Sequence, residues 1–128
     1  MPRVVLANGV FDILHAGHID YLEQASQLGY LCVSVTRDRS IYKGREITPQ
    51  RERVKIIKAL RCVKRVILVD SSLEALKIIN PDIFIKGEEY KRRIRKEDRA
   101  WCKENGCKIV FTPKTHSSTT IHARIRLA

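Results

Sequence analysis

Short apolar runs rich in β-branched residues alternate along this chain with segments of helical period, and no other feature constrains its fold as much. Such runs suit strands buried on both faces, and strands separated by helices pair in parallel. Residues 3–7, 30–36, 65–69, 83–86 and 107–111 read as five strands. Between the first two, residues 17–28 place Ile19, Leu22, Ala25 and Leu28 along one helical face before Gly29. Residues 50–60 do the same with Val54, Ile57 and Leu60. Ser71 and Glu74 stand at capping-box spacing ahead of Leu76, Ile78 and Ile79, and Asn80-Pro81 ends that helix. Residues 96–105 read as a helix closed by Gly106, and residues 121–127 as a last short helix capped by the hydroxyls before it. Residues 37–49 form the one long loop. Right-handed crossovers then predict a doubly wound α/β sheet, with ligands beyond the carboxyl ends of its strands.

A chain of 128 residues, 44% of them hydrophobic, can bury about two-thirds of its unfolded surface as one domain over residues 1–128. Neither disorder nor a disulfide scaffold fits that composition. Cys32, Cys62, Cys102 and Cys107 form no CxxC pair and read as reduced, buried residues, with no protein-held metal expected. Apolar runs such as residues 65–69 and 78–85 fall far short of the roughly 18 residues of a membrane span, and no secretory signal is visible. The expected setting is therefore cytoplasmic and away from membranes. Lys and Arg number 25 against 14 Asp and Glu, a net charge of +11 that favours an anionic partner, with phosphate the expected ligand. An enzyme and a nucleic-acid-binding module are the two classes left to separate.

The densest signal spans residues 9–18, which read GVFDILHAGH and join the first strand to the first helix. His15 and His18 point toward a helix N-terminus whose N–H groups and dipole favour an anion, and Gly17 lets a phosphate approach the backbone. An imidazole can donate to a phosphate oxygen, and an anion nearby favours its protonated form. The alternative is that each histidine merely caps the helix. Ser117, Ser118, Thr119 and Thr120 offer hydroxyls and helix N-terminal amides, either as a plain cap or as a grip on phosphates. Lys91-Arg92-Arg93-Ile94-Arg95-Lys96 reads as a solvated face or a collar for phosphorylated substrates; without an aromatic stacking series, nucleic acid is not the expected partner.

GVFDILHAGH resembles the signature of the HxGH nucleotidyltransferases, the cytidylyltransferase-like family. Lys43-Gly44-Arg45, Arg53, Asn80-Pro81-Asp82, Ile85-Lys86-Gly87-Glu88-Glu89-Tyr90 and Ser117 to Thr120 follow in the family's order, so the resemblance covers nearly the whole chain. The motifs are most similar to the adenylyltransferase domain of bifunctional ADP-heptose synthases, and next to glycerol-3-phosphate cytidylyltransferases. The resemblance implies a Rossmann-like five-stranded parallel sheet flanked by helices. It also implies attack by a substrate phosphate on the α-phosphorus of a nucleoside triphosphate, with Mg²⁺, pyrophosphate release and no covalent intermediate. ATP with a sugar 1-phosphate is the first expectation and CTP with glycerol 3-phosphate the alternative; a homodimer is the expected assembly.

The family pattern carries catalysis to His15, His18 and Lys43, and nucleotide binding to Gly9, Phe11, Gly17, Gly87, Glu89 and Tyr90. Arg53 is expected to clamp phosphate from the second helix, and Ser117, Ser118, Thr119 and Thr120 to hold the β- and γ-phosphates. Asp12 is expected to orient rather than to act as a base. His122 stands where the family has Arg or Lys, and Arg124 is the nearest cation to take over that contact. Glu89 replaces the common Asp.

Overall fold

The computed structural model describes residues 2–41 and 48–113. Strands β1 (Val4–Gly9), β2 (Tyr30–Thr36), β3 (Arg65–Val69), β4 (Ile83–Gly87) and β5 (Lys108–Thr112) alternate with helices α1 (Ala16–Ser26), α2 (Gln50–Lys58), α3 (Ser72–Ile79) and α4 (Lys96–Asn105). All strand pairs are parallel, in the order β3-β2-β1-β4-β5. The chain winds outward from β1 to β3, then crosses back to place β4 on the other side of β1. The boundary between β1 and β4 is the point where the winding direction reverses, and it opens a crevice at their carboxyl ends. The doubly wound five-stranded sheet read from the sequence is thus present.

Two cores sandwich the sheet because alternate side chains of each buried strand face opposite ways. Val5, Ala7, Val33 and Ile85 pack with Leu22 and Ala25 of α1 and Ile57 of α2. Leu6, Val69 and Phe84 pack with Ala75 and Leu76 of α3 and Cys102 of α4 on the other face. The cysteines are unpaired, three of them buried, and burial raises all four thiol pKa values.

Boundaries follow local chemistry. β1 runs past residue 7 because Asn8 and Gly9 stay in register with Ser34 and Val35 of β2. Ser71 caps α3 by accepting from the Glu74 amide, and Asn80, in the left-handed region at φ 50°, ends the helix before Pro81. A side chain at Gly29 would bring a Cβ within 2.1 Å of the Arg3 carbonyl oxygen. That close approach is what the glycine permits. Two short 3₁₀ turns, Asp38–Ser40 and Glu88–Tyr90, were not expected from the sequence.

Candidate active site

The β1–α1 connection builds the centre of the site from residues that support one another. Phe11 adopts a positive φ of 55° and folds its ring back over Gly9, where an added Cβ would lie 2.9 Å from the ring. The buried ring then meets His18 edge-on, with centroids 5.5 Å apart. His15 is the N-cap of α1. Its Nδ1 accepts from the Gly17 amide at 3.0 Å, while the His15 amide donates to Nδ1 of His18 at 3.2 Å. The two rings stack at 3.9 Å.

This arrangement joins the two readings that the sequence presented as alternatives. Each histidine caps the helix through Nδ1, and an Nδ1 that accepts leaves the ring proton on Nε2. Both rings are therefore held as Nε2–H donors at a helix N-terminus. Burial and the neighbouring His15 lower the His18 pKa to about 4, so at neutral pH its ring is uncharged. The protonated form expected in contact with an anion is not the resting state of this site.

A second group of residues locks the connection to α2. Arg53 is buried, and every guanidinium nitrogen is engaged. Nε donates to the Thr48 carbonyl, Nη1 to the Val10 and Thr36 carbonyls at 2.8 Å, and Nη2 to the Asp38 carboxylate. The phosphate clamp expected at Arg53 would require these bonds to be given up; what the side chain holds here is three backbone carbonyls and the Asp38 carboxylate. Asp38 and Gln50 exchange backbone-to-side-chain bonds of 2.9 and 3.1 Å, and bonds from Gln50 and Arg53 hold the Asp38 carboxyl below its usual range. The Asp12 carboxylate accepts from the Thr48 amide, an orienting contact. Residues 42–47, which include Lys43, lie outside the described residues. Ser117, Ser118, Thr119, Thr120, His122 and Arg124 also lie outside them.

Across the reversal point, Gly87 ends β4 and the Glu89 carboxylate lies over it, 2.6 Å from where a Cβ would stand. Tyr90 is partly exposed and receives the Lys86 ammonium 4.8 Å from its ring centroid; Phe84 receives the same ammonium at 5.3 Å. A cleft of about 300 Å³ opens between these residues and the ends of β1 and β3, with Asn8, Lys86, Arg93, Arg95, Ser72 and Asp98 in its wall. Burial lowers the Lys86 pKa. The structure thus brings Gly9, Phe11, His15, Gly17 and His18 to one strand end and Gly87, Glu89 and Tyr90 to the adjacent one.

Sequence reasoning missed Tyr21, whose buried hydroxyl donates to the Ile85 carbonyl at 2.7 Å and ties α1 to β4. It also missed Asp98, although a carboxylate one turn before Cys102, on the inward face of α4, was a readable signal. Arg93 and Arg95 of the basic run line the cleft, which gives that run a place beside the site.

Comparison with known proteins agrees with this geometry. A family model described as cytidylyltransferase-like matches residues 6–124. The bifunctional protein HldE of Nitratiruptor sp. is 44% identical over 96 residues, covering 70% of this chain and 21% of that protein. The chain thus spans about a fifth of such relatives' length. An FAD synthase of Methanohalophilus mahii is 38% identical over 120 residues, covering 90% of this chain and 84% of that protein. The crystal structure of a lipopolysaccharide core biosynthesis protein from Thermoplasma volcanium superposes with a TM-score of 0.71 at 29% identity, covering 92% of this chain and 100% of that one. Pantothenate synthetase from Thermus thermophilus shares the fold, with a TM-score of 0.65 at 14% identity over 90% of this chain and 57% of that one.

Proposed function

The chain belongs to the cytidylyltransferase-like family of nucleotidyltransferases, and from that premise we propose that it transfers an adenylyl group from ATP to a small phosphorylated acceptor such as a sugar 1-phosphate. The observation that carries this reading is the pair of Nε2–H donors fixed by reciprocal capping at the N-terminus of α1. An acceptor phosphate oxygen attacks the α-phosphorus in line, the bond to the bridging oxygen breaks, and pyrophosphate leaves with the electron pair. The protein has little covalent work in such a displacement; it must place donors where charge grows. His15 and His18 would do so as neutral donors, which need no proton transfer because the attacking phosphate has no proton to lose.

The reading gives Lys43, Ser117, Ser118, Thr119 and Thr120 the triphosphate, and Gly87, Glu89 and Tyr90 the base. Mg²⁺ would arrive with the triphosphate, whose oxygens and a few waters satisfy it and whose charge it neutralises. Among the described residues no group of three His, Cys, Asp or Glu could hold an ion by itself.

ATP is favoured over CTP because an FAD synthase, which this chain covers over 84% of its length at 38% identity, makes a product with an adenylyl half. CTP with glycerol 3-phosphate is the second pair to test. A pyrophosphate-release screen crossing four nucleoside triphosphates with sugar, polyol and flavin phosphates tests the reading. Turnover is expected with ATP and one class of acceptor, and the absence of turnover with every pair would overturn it. Lys43→Ala should weaken nucleotide binding and slow the reaction together, because a long cation meets phosphate before and during transfer.

A further inference from the structure

The cleft beside β4 holds a carboxylate whose hydrogen bonding is incomplete. Asp98 is 2% exposed and stands in the first turn of α4, where the helix dipole favours its charge. Its Oδ2 accepts from the hydroxyl of Ser72, at the start of α3, so the two helices meet tip to tip in the cleft wall. Its Oδ1 is buried and, among the described residues, has no hydrogen-bond partner. A buried acceptor without a donor is costly, and native structures seldom leave one without a reason.

Three neighbours define what would satisfy it. Lys86 lies in the same cleft with its ammonium over two aromatic faces rather than on an acceptor. Arg93 and Arg95 line the cleft too, and because its other carboxylate, Asp70, is already paired with Arg37 and Arg39, the unspent charge makes the cleft attractive to an anion. A ligand suited to this wall carries negative charge and, at a distance from it, a neutral group that donates to Asp98 and accepts from Lys86. A hydroxyl does both; an ammonium would be repelled by the three cations and a carbonyl cannot donate.

We infer that Asp98 and Lys86 form a subsite that reads a hydroxyl of a phosphorylated polyol or sugar. In calling that molecule the acceptor, the inference rests on the transfer reading above. Asp98 acts here as a specificity-determining residue: it selects hydroxylated acceptors and leaves the reacting phosphorus to the β1–α1 connection.

The test is equilibrium binding to the full chain by calorimetry, which needs no turnover. Glycerol 3-phosphate and ribitol 5-phosphate are compared with n-propyl phosphate, which has the same charged group and no hydroxyl. The wild-type protein should bind the hydroxylated pair about 10- to 100-fold more tightly, as hydrogen bonds to charged groups allow. Asp98→Asn should bring that ratio close to one, with affinities for n-propyl phosphate and ATP little changed. A purely structural tie between α3 and α4 would lower all affinities together and keep the ratio. A wild-type ratio near one, no binding of any probe, or a ratio unmoved in Asp98→Asn would each overturn the inference. If Asp98→Asn does not fold, the wild-type ratio and Lys86→Met, which should also reduce the ratio, decide it. Hydroxyl-dependent binding without pyrophosphate release from any pair would sink the transfer reading alone; release with a ratio near one would sink this inference alone.

Discussion

Two polar clusters flank the carboxyl end of β1, and they are built in opposite ways. On the α2 side, Arg53 has a partner for every guanidinium nitrogen, and Asp38, Gln50, Thr48 and Asp12 complete the lattice. On the α4 side, Asp98 keeps a buried oxygen without a donor among the described residues, and the Lys86 ammonium rests on Phe84 and Tyr90. A saturated polar network rigidifies and has nothing left to offer a ligand. An unsaturated one holds back bonds that only a ligand can complete. Charge alone does not separate the two, since each side combines cations and carboxylates with one charged side chain buried, Arg53 or Asp98. The hydrogen-bond count does, and it assigns support to Arg53 and recognition to Asp98.

The sharpest way to break this contrast is to remove Arg53. Arg53→Leu would take one donor from the Val10, Thr36 and Thr48 carbonyls and from the Asp38 carboxylate, and a buried acceptor left unsatisfied costs about 1–3 kcal/mol each, so the summed loss is the largest expected in this molecule. Urea denaturation should show that loss at every pH where Asp38 is ionised. A variant of unchanged stability with a raised nucleotide KM would instead make Arg53 the phosphate clamp expected from the sequence.

Next in size is His18→Ala. Loss of a preorganised donor should lower kcat about 100- to 1000-fold, or roughly 3–4 kcal/mol. Because His18 also accepts from the His15 amide, stability should fall by about 1 kcal/mol as well. Melting temperature and single-turnover rate measured on one sample separate the two effects. A destabilised protein with normal chemistry would leave His18 as a cap only.

A smaller effect follows from the charge state of that ring. With its pKa lowered to about 4 in the fold against about 6.5 when unfolded, His18 is neutral at pH 7 in both states. Between those values the unfolded chain takes up the proton first, so stability is full above about pH 6.5 and declines as pH falls toward 4. His18→Ala should flatten that decline. Imidazole resonances followed by NMR should show His18 titrating near pH 4; a midpoint near 6.5 would contradict the burial of the ring.

How much of this was legible beforehand depends on whether a residue's partners are near it in sequence. Strands and helices were readable because Val33, Ile85 or Leu76 declare burial through local period alone. The capping of α1 was readable for the same reason, since His15, Gly17 and His18 lie within one turn. The burial of Arg53 was visible in its position: it shares the stripe of Ile57 and Leu60, spaced four and seven residues on, and so points inward. Its hydrogen-bond partners, the Val10, Thr36 and Thr48 carbonyls and Asp38, lie on other segments and were not readable from that stripe. Asp38 lies in the stretch that reads as one long loop, and its seat on α2 is made by Gln50, 12 residues away across that loop. Asp98 needed Ser72, 26 residues away, before its half-used carboxylate could be recognised.

Tyr21 is the extreme of that dependence on distant partners, and it carries the smallest predicted effect. Its hydroxyl reaches the Ile85 carbonyl, 64 residues on, inside the core shared by α1 and β4, and burial pushes its pKa well above the usual phenol range. Ile85 pairs with Ala7 of β1 and Val110 of β5, so this one bond fastens the histidine-bearing helix to the strand that leads into the Asp98 cleft. Tyr21→Phe keeps the ring and removes only that bond, which should cost about 1 kcal/mol of stability, the usual net worth of a buried neutral hydrogen bond. If the bond also sets the spacing between the two clusters, kcat should fall modestly while the KM values for nucleotide and acceptor hold, because each cluster stays intact and only their separation relaxes. A loss of stability with unchanged kcat would mean that sheet pairing alone fixes that spacing. A raised acceptor KM with kcat intact would place Tyr21 with the acceptor cleft instead of between the two sides.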